Sequence, residues 1–247
     1  MHNINDSYFD GEYKNVWRNL IPEGLTKAEV EFLIGQAELV AGNKVLDLMC
    51  GYGRHALALA RKGMLVTAVD NLADYTGEIK DIAGKEDLPV EVLQTDVIEL
   101  RPSGRYNLVI CLGNCLSFFN LDESAMLFSI VSSSLNPGSK FIFNSWTIAE
   151  IAIKEFSSKK WSYVGETKYL VDCQYLFSPT RIETESIFIT PDGKTEIKNG
   201  IDYIYSFSEM EAMLKQSGLR IKDTWSIPGR KKFSLGDPRI YVVAEKI

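Results

Sequence analysis

Apolar runs alternate with amphipathic segments from residue 27 to residue 144 of the chain. The short apolar runs are typical of buried strands, and they cover residues 44–49, 64–69, 90–94, 106–112 and 140–144. Apolar residues at helical spacing lie before and between them, over residues 27–40, 54–62, 72–83 and 122–135. Strands separated by helices form βαβ units, in which the strands are parallel and the crossovers right-handed. The pattern therefore predicts a doubly wound α/β domain.

Two predicted helices begin with the spacing of a capping box. In this motif a Ser or Thr side chain and an acid three residues later satisfy free backbone N–H groups. Thr26 and Glu29 have this spacing before the helix over residues 27–40. Ser208 and Glu211 have it in a helix predicted over residues 208–216. We therefore expect Thr26 and Ser208 to be N-cap residues.

The pattern changes after Trp146, where β-rich runs replace the alternation of strand and helix. A short helix is predicted over residues 149–155, and long alternating runs follow at residues 167–177, 180–190 and 195–207. Pro191-Asp192-Gly193 separates the last two runs and is typical of a hairpin turn. The chain ends with two more strands, over residues 220–226 and 239–246.

These elements predict a seven-stranded, mostly parallel sheet with a three-stranded antiparallel insertion after strand five. The expected organisation is an α/β core with an N-terminal arm over residues 1–155, the insertion over 156–207, and the last helix with a final hairpin over 208–247. We expect this insertion to contribute either to a ligand site or to a homodimer contact.

Composition limits the classes of function. Hydrophobic residues make up 45% and charged residues 24% of the chain, which is ordinary for a soluble globular protein. The net charge of −6 disfavours a nucleic-acid partner held by broad phosphate contacts. Four cysteines without a CxxC pair and two histidines predict no metal site. The polar start of the chain and the lack of a long apolar run favour a cytoplasmic protein without a membrane span.

The segment VLDLMCGYGRHALALARKG, at residues 45–63, joins a strand to a helix through a glycine turn. Glycine lets the backbone approach a ligand closely, and the start of the helix presents free N–H groups. On its own this signal is weak. Gly51, Gly53 and Ala56 also fit a loose dinucleotide fingerprint, GxGxxA, which keeps an NAD-type oxidoreductase open as an alternative.

Three acids near the ends of the first three strands narrow the choice of ligand. Asp47 lies four residues before Gly51, where a carboxylate disfavours a pyrophosphate and suits an ammonium group. Asp70 ends the second strand, where it can accept both hydroxyls of a ribose. Asp96 follows the third strand and can accept from an adenine amino group. S-adenosylmethionine carries all three groups, so we expect it as the cofactor.

At these residues the sequence resembles the class I S-adenosylmethionine-dependent methyltransferases. The matching pieces are VLDLMCGYGRH, VTAVD, LQTDV and YNLVICLGN, and the resemblance covers residues 27–145 and resumes over residues 208–246. The subgroup it most resembles is the bacterial small-molecule type with a CGxGRH turn. Met49 and Cys50 replace the more common small residues, and Asn71-Leu72-Ala73-Asp74 replaces the usual helix start.

The resemblance implies a set of cofactor-binding residues. It places Asp47, Met49, Cys50, Gly51 and Gly53 at the methionine end, and Asp70 at the ribose. It implies that the adenine and the sulfonium are bound by the residues after strands two, three and four, namely Asn71, Leu72, Asp96, Val97, Leu112 and Gly113.

The acceptor side and the catalytic groups have less specific candidates. Asn114 follows strand four near the expected methyl group, and His55 begins the helix after the glycine turn. Each also has a structural interpretation, as a turn residue and as a helix residue packed near the ligand. Aromatic residues of the arm, the core and the insertion can line an acceptor pocket or simply pack: Tyr8, Tyr13, Trp17, Phe118, Tyr175 and Tyr203.

The sequence therefore predicts methylation of a small-molecule nitrogen or oxygen by S-adenosylmethionine. Methyl transfer from a sulfonium requires mainly orientation and exclusion of water. Two alternatives remain. One is the NAD-type oxidoreductase, which Asp47 disfavours, and the other is a non-catalytic protein that keeps the cofactor site and uses the insertion as an interaction surface.

Overall fold

The computed structural model describes residues 3–102 and 104–247. His2, the first of the two histidines of the chain, lies outside the described residues. The chain starts with a 3-10 turn at Ile4–Ser7 and a helix, α1, at Glu12–Leu20. Neither was predicted, although Tyr13, Val16 and Trp17 of α1 have the spacing of one helix face.

Five adjacent parallel strands form one side of the larger sheet. They are β1 (Lys44–Leu48), β2 (Leu65–Asp70), β3 (Val90–Gln94), β4 (Tyr106–Cys111) and β5 (Leu135–Ser145). Their spatial order is β3-β2-β1-β4-β5, with β3 at the edge of the sheet. The order reverses direction between β1 and β4, which is the point where open α/β sheets bind ligands beyond the carboxyl ends of the strands.

The insertion forms a separate antiparallel sheet of four strands rather than the predicted three. Its strands are β6 (Lys159–Val164), β7 (Thr167–Phe177), β8 (Thr180–Ile189) and β9 (Thr195–Tyr203), in sequential order. The predicted hairpin turn joins β8 to β9, with a hydrogen bond from the Thr190 N–H to the Lys194 carbonyl. Strand β6 escaped prediction because it is an edge strand with five exposed residues and no alternation of burial.

The chain then returns to the larger sheet and completes it with antiparallel strands. These are β10 (Leu219–Ile227), β11 (Lys231–Lys232) and β12 (Ile240–Lys246), in the order β11-β10-β12-β5. The predicted count of seven strands is thus wrong by one short strand in the described part of the chain. The two residues of β11 lie in a charged loop whose sequence has no strand pattern.

Helices cover both faces of the larger sheet. They are α2 (Leu25–Ala37), α3 (Arg54–Ala60), α4 (Ala73–Lys85), α5 (Leu121–Ser134), α6 (Ala149–Glu155) and α7 (Phe207–Gln216). Leu33, Leu59 and Ile79 of α2, α3 and α4 are buried in one apolar cluster. Phe128 and Leu214 of α5 and α7 are buried in the other. Helices on two faces of a largely parallel sheet confirm the predicted fold class.

Both predicted N-caps are wrong, for different reasons. Helix α2 begins after Gly24 without a side-chain cap, and the Thr26 hydroxyl instead accepts from Arg54. Helix α7 is capped by Ser206, which forms the capping box with Glu209. The stretch Ser206–Glu211 contains two overlapping Ser-x-x-Glu pairs, and the structure uses the first.

The structure also bears on membrane and metal binding. Within the described residues, no helix is both long and apolar enough to cross a bilayer. The same part of the chain contains no group of three or more His, Cys, Asp or Glu side chains placed to hold a metal ion.

Candidate active site

The glycine turn after β1 leaves space above Gly51. This residue has a left-handed backbone with φ +55°, and a Cβ added to it would meet no atom within 4 Å. Gly53 also has a positive φ, but a Cβ there would lie 2.6 Å from Cγ1 of Ile79. Gly53 therefore allows α3 and α4 to pack closely, whereas Gly51 lines an open cavity.

Asp70 holds the glycine turn from the end of β2. One carboxylate oxygen accepts the backbone N–H of Gly51 at 2.8 Å, and the other accepts that of Leu72 at 3.0 Å. Burial raises the pKa of Asp70, and the backbone hydrogen bonds oppose that rise. A carboxylate has about four lone-pair sites, so both oxygens can accept further bonds from a ligand.

A first cavity, of about 120 Å³, lies at the carboxyl ends of the parallel strands, beside Gly51 and Asp70. Most of the predicted cofactor-binding residues line it: Met49, Gly51, Asp70, Asn71, Leu72, Asp96, Val97, Leu112 and Gly113. Asp47, Cys50 and Gly53 lie outside its lining. The Asp96 carboxylate accepts the N–H of Ile98 at 3.0 Å, which fixes it at the wall.

Asp47 lies beneath the glycine turn and is 1% exposed. Its Oδ2 is buried without a hydrogen-bond partner in the described structure. Burial raises its pKa to about 7, with a lowering effect of the Arg54 charge and a raising effect of Asp70. An orphaned carboxylate oxygen beside the cavity is electrostatically suited to a ligand that brings positive charge to the turn.

The N-terminal arm closes the first cavity. Phe9, Tyr13 and Trp17 line it, and the Tyr75 hydroxyl fixes the arm by donating to the Phe9 carbonyl at 2.6 Å. Two basic side chains of helix α1 bind the same acidic side chain of α4. Glu78 forms ion pairs with Lys14, at 2.6 Å, and with Arg18.

A second, larger cavity of about 800 Å³ lies between the arm, the inserted sheet and the ends of β4 and β5. Four of the predicted acceptor-side aromatics line it: Tyr8, Tyr13, Trp17 and Phe118. Tyr175 and Tyr203 line neither cavity, and Tyr175 contacts the rings of Phe156 and Phe177. Tyr169 of the insertion lines it as well, together with residues that the sequence analysis did not single out, among them Trp146, Trp161 and Asp202.

Asn114 lines the second cavity but uses its side chain within the protein. Its amide nitrogen donates to Ser117 at 3.0 Å and to Asp202 at 3.3 Å. Its amide oxygen accepts from the Ser145 and Thr147 hydroxyls and from the Trp146 N–H. Both donors and the oxygen are engaged, so the geometry gives Asn114 a positioning role between β4, β5 and β9.

His55 lies away from both cavities in a buried polar cluster that the sequence analysis did not find. Its Nε2 lies 2.9 Å from Oε2 of Glu29, and an ionised carboxylate can only accept, so the ring donates. Arg54 also donates to Glu29, and the Tyr241 hydroxyl donates to its other oxygen at 2.7 Å. Burial and the Arg54 charge lower the pKa of His55, whereas Glu29 raises it. The cluster links α2, α3 and β12.

Comparison with known proteins adds independent evidence on this chain. A family model described as a methyltransferase domain matches residues 45–138. The glycine/sarcosine N-methyltransferase of Halorhodospira halochloris is 27% identical over 166 residues, which are 65% of this chain and 62% of that protein. The chain thus spans less than two thirds of the length of this relative.

Two solved structures resemble nearly the whole chain. An S-adenosylmethionine-dependent methyltransferase from Clostridium acetobutylicum has a TM-score of 0.82 at 20% identity, covering 94% of this chain and 95% of its own. The CcbJ methyltransferase from Streptomyces caelestis has a TM-score of 0.83 at 17% identity, covering 98% of both chains. The fold is therefore that of S-adenosylmethionine-dependent methyltransferases. The comparisons agree with the predicted class of enzyme, a methyltransferase, and with its predicted cofactor.

Proposed function

We propose that the protein transfers a methyl group from S-adenosylmethionine to a nitrogen or oxygen of a small molecule. The observation that carries the proposal is a pair of adjoining cavities with a common wall. Gly113, Phe118, Tyr13 and Trp17 line both of them. A donor in the first cavity and an acceptor in the second would therefore meet at these residues.

The first cavity fits the cofactor by the chemistry of its lining. The open space at Gly51 admits a ligand close to the backbone, Asp70 offers acceptors for ribose hydroxyls, and Asp96 offers one for an adenine amino group. When bound, the cofactor supplies an electrophilic methyl group on a sulfonium. The chain supplies orientation and exclusion of water, and orientation alone contributes about 7–11 kcal/mol to such reactions.

The second cavity supports a small-molecule acceptor. The arm and the inserted sheet enclose it, and its lining is rich in aromatic side chains. We assign the chain to the small-molecule type with a CGxGRH turn, which residues 50–55 carry. The name of the relative from Halorhodospira halochloris refers to glycine and sarcosine, which are small amines, and this agrees with the assignment.

Binding and transfer can be tested separately. Calorimetry with S-adenosylmethionine, its demethylated product and NAD is expected to show binding of the first two only. Tight binding of NAD without a response to S-adenosylmethionine would establish the oxidoreductase alternative. Transfer of tritiated methyl from the cofactor to a pool of metabolites then separates an enzyme from a silent binding protein. Cofactor binding without labelled product across amine and alcohol pools would contradict catalysis.

A further inference from the structure

Asp202 of β9 is an acid on the wall of the second cavity without a basic partner. Its Oδ1 accepts hydrogen bonds from the Ser117 hydroxyl and from the Asn114 amide. No ion pair in the described part of the chain includes Asp202. Lys198, a lysine of the same strand, is paired with Asp10 and Glu196. Asp202 is half-buried, and a carboxylate partly withdrawn from water without a cation is unfavourable, so the cavity is suited to a ligand with a positive charge.

The two lysines on the lining of this cavity do not provide that charge. Lys159 forms an ion pair with Asp172 at 3.3 Å, and Lys160 donates to the carbonyl of Glu155 at 3.3 Å. Both lysines are exposed. The cation that would satisfy Asp202 must therefore come from a ligand.

Aromatic rings form much of the remaining wall. They are contributed by the arm, by the loop after β5 and by the inserted sheet: Tyr8, Tyr13, Trp17, Trp146 and Tyr169. The face of an aromatic ring attracts a cation. A carboxylate surrounded by aromatic rings is an arrangement that recognises the ammonium group of a ligand.

We propose that the methyl acceptor is an amine, which enters the second cavity as an ammonium ion and is held by Asp202. The inference rests on the proposed function and narrows it from nitrogen or oxygen to nitrogen. Asn114 connects the two sites, because it bonds Asp202 and directly follows Gly113, which lines both cavities. Asp202 therefore lies close to the wall that the two cavities share, where the methyl group would pass from donor to acceptor.

An ammonium nitrogen has no free electron pair, so it must lose a proton before transfer. The Asp202 carboxylate accepts this proton and becomes a carboxyl group. The amine nitrogen then forms the N–C bond while the C–S bond breaks and leaves its electron pair on sulfur. Burial raises the pKa of Asp202, which favours the protonated form, while the Ser117 hydrogen bond lowers it. Among the described residues, Tyr8 and Cys173 are titratable groups whose pKa values the Asp202 charge raises.

The test uses a library of primary amines paired with the alcohols that differ only in replacing –NH₂ by –OH. Full-length protein saturated with the demethylated product of the cofactor is titrated with each member, and tritiated methyl transfer is measured in parallel. We expect binding and transfer with amines only. Binding of matched amine and alcohol with equal affinity, or a library without a single binding amine, would overturn the proposal.

Two variants test whether Asp202 is the residue that binds the amine. Asp202→Asn keeps an oxygen acceptor for Ser117 and Asn114 and removes the charge, so we expect amine affinity to fall at least tenfold with cofactor affinity unchanged. Glu185→Gln removes one charge from the exposed side of the same sheet and is expected to change neither. An Asp202→Asn protein that binds the amine as well as the native protein would refute the role of this residue. The comparison of amine with alcohol on the native protein is independent of how the variants fold.

The outcomes separate this inference from the proposed function. Methylation of alcohols with native cofactor affinity would refute the amine acceptor and leave the methyltransferase intact. Failure to bind S-adenosylmethionine would refute the methyltransferase itself.

Discussion

The carboxylate of Glu29 accepts a hydrogen bond from the Nε2 of His55 across 2.9 Å, and neither residue lines a cavity, although Arg54 of the same cluster borders the first one. Glu29 is 1% exposed and His55 is 3% exposed. Burial alone would raise the pKa of Glu29, but the His55 hydrogen bond and the charge of Arg54 outweigh it, and the pKa falls to about 2. Glu29 thus joins three elements as a permanent anion.

We expect Glu29→Gln to destabilise the protein by about 3 kcal/mol at pH 7, because it leaves Arg54 without its buried partner. The native stability from Glu29 is present above its unfolded pKa of about 4.5 and is lost as the pH falls towards 2. Urea unfolding at pH 7 and pH 3 measures both effects. Glu31→Gln, an exposed acid of the same helix, is the control. Equal unfolding midpoints for the two variants at pH 7 would contradict this account.

Asp70→Ala is expected to weaken binding of S-adenosylmethionine by at least about tenfold. Hydrogen bonds to a charged group contribute roughly 1.5–3 kcal/mol, and 1.4 kcal/mol is a factor of ten. The variant also frees the N–H groups of Gly51 and Leu72, so the turn itself loosens. Calorimetry measures the affinity, with Asp74→Ala, an exposed acid of α4, as the control. An unchanged dissociation constant would show that Asp70 does not contact the ligand.

Gly51→Ala is expected to abolish cofactor binding while the protein remains folded. Its Cβ would enter the open space of the first cavity, and a positive φ costs an alanine roughly 1–2 kcal/mol. Gly42→Ala provides a matched control, because Gly42 has φ +86° and equal free space but lies outside the cavity. Thermal unfolding and calorimetry on both variants test the prediction. Similar loss of binding in both would indicate a general effect of strain.

Glu78→Ala is expected to speed cofactor dissociation about three- to tenfold, because it removes the anion that attaches both Lys14 and Arg18 of the arm to α4. Stopped-flow displacement of the bound cofactor measures the rate. Glu86→Ala, which removes the partner of Arg61 at the C-terminal end of α4, is the control. If both variants release the cofactor at the native rate, these ion pairs do not hold the arm over the cavity.

Trp161→Ala is expected to raise the KM for the acceptor severalfold without changing cofactor affinity. The Trp161 side chain lines the second cavity yet is 72% exposed, so its removal costs little stability. Phe177→Ala is the matched control, since Phe177 is 83% exposed on the same sheet and lies away from the cavity. The acceptor found by the methyl-transfer assay serves for both. Identical KM values for the two variants would remove Trp161 from the acceptor site.

The sequence was sufficient to predict the first cavity because its residues follow strand ends. Parallel strands place their carboxyl ends at one edge, so acids such as Asp70 and Asp96 meet there whatever the helices between them do. The order of strands and helices from Lys44 to Ser145 was also predictable, because it depends on local periodicity. Where this local rule applies, the predicted residues line the cavity.

Contacts between distant segments could not be predicted in this way. Glu29 has the spacing of a capping acid, but Arg54, His55 and Tyr241 withdraw it from the helix end. Tyr169 and Tyr175 lie on the same face of β7, but six residues of a strand span about 20 Å, and only Tyr169 reaches the second cavity. The position of the inserted sheet relative to the arm determines which of these tyrosines lines the cavity. The periodicity of the sequence does not contain that position.

The shared wall of the two cavities implies an order of events during turnover. Tyr13 and Trp17 border both spaces, and the arm that carries them covers the first. The donor must therefore enter before the acceptor completes the enclosure, and the demethylated product can leave only after the methylated acceptor has gone. Steady-state kinetics should then be sequential and ordered. The demethylated product should inhibit competitively against the donor and non-competitively against the acceptor.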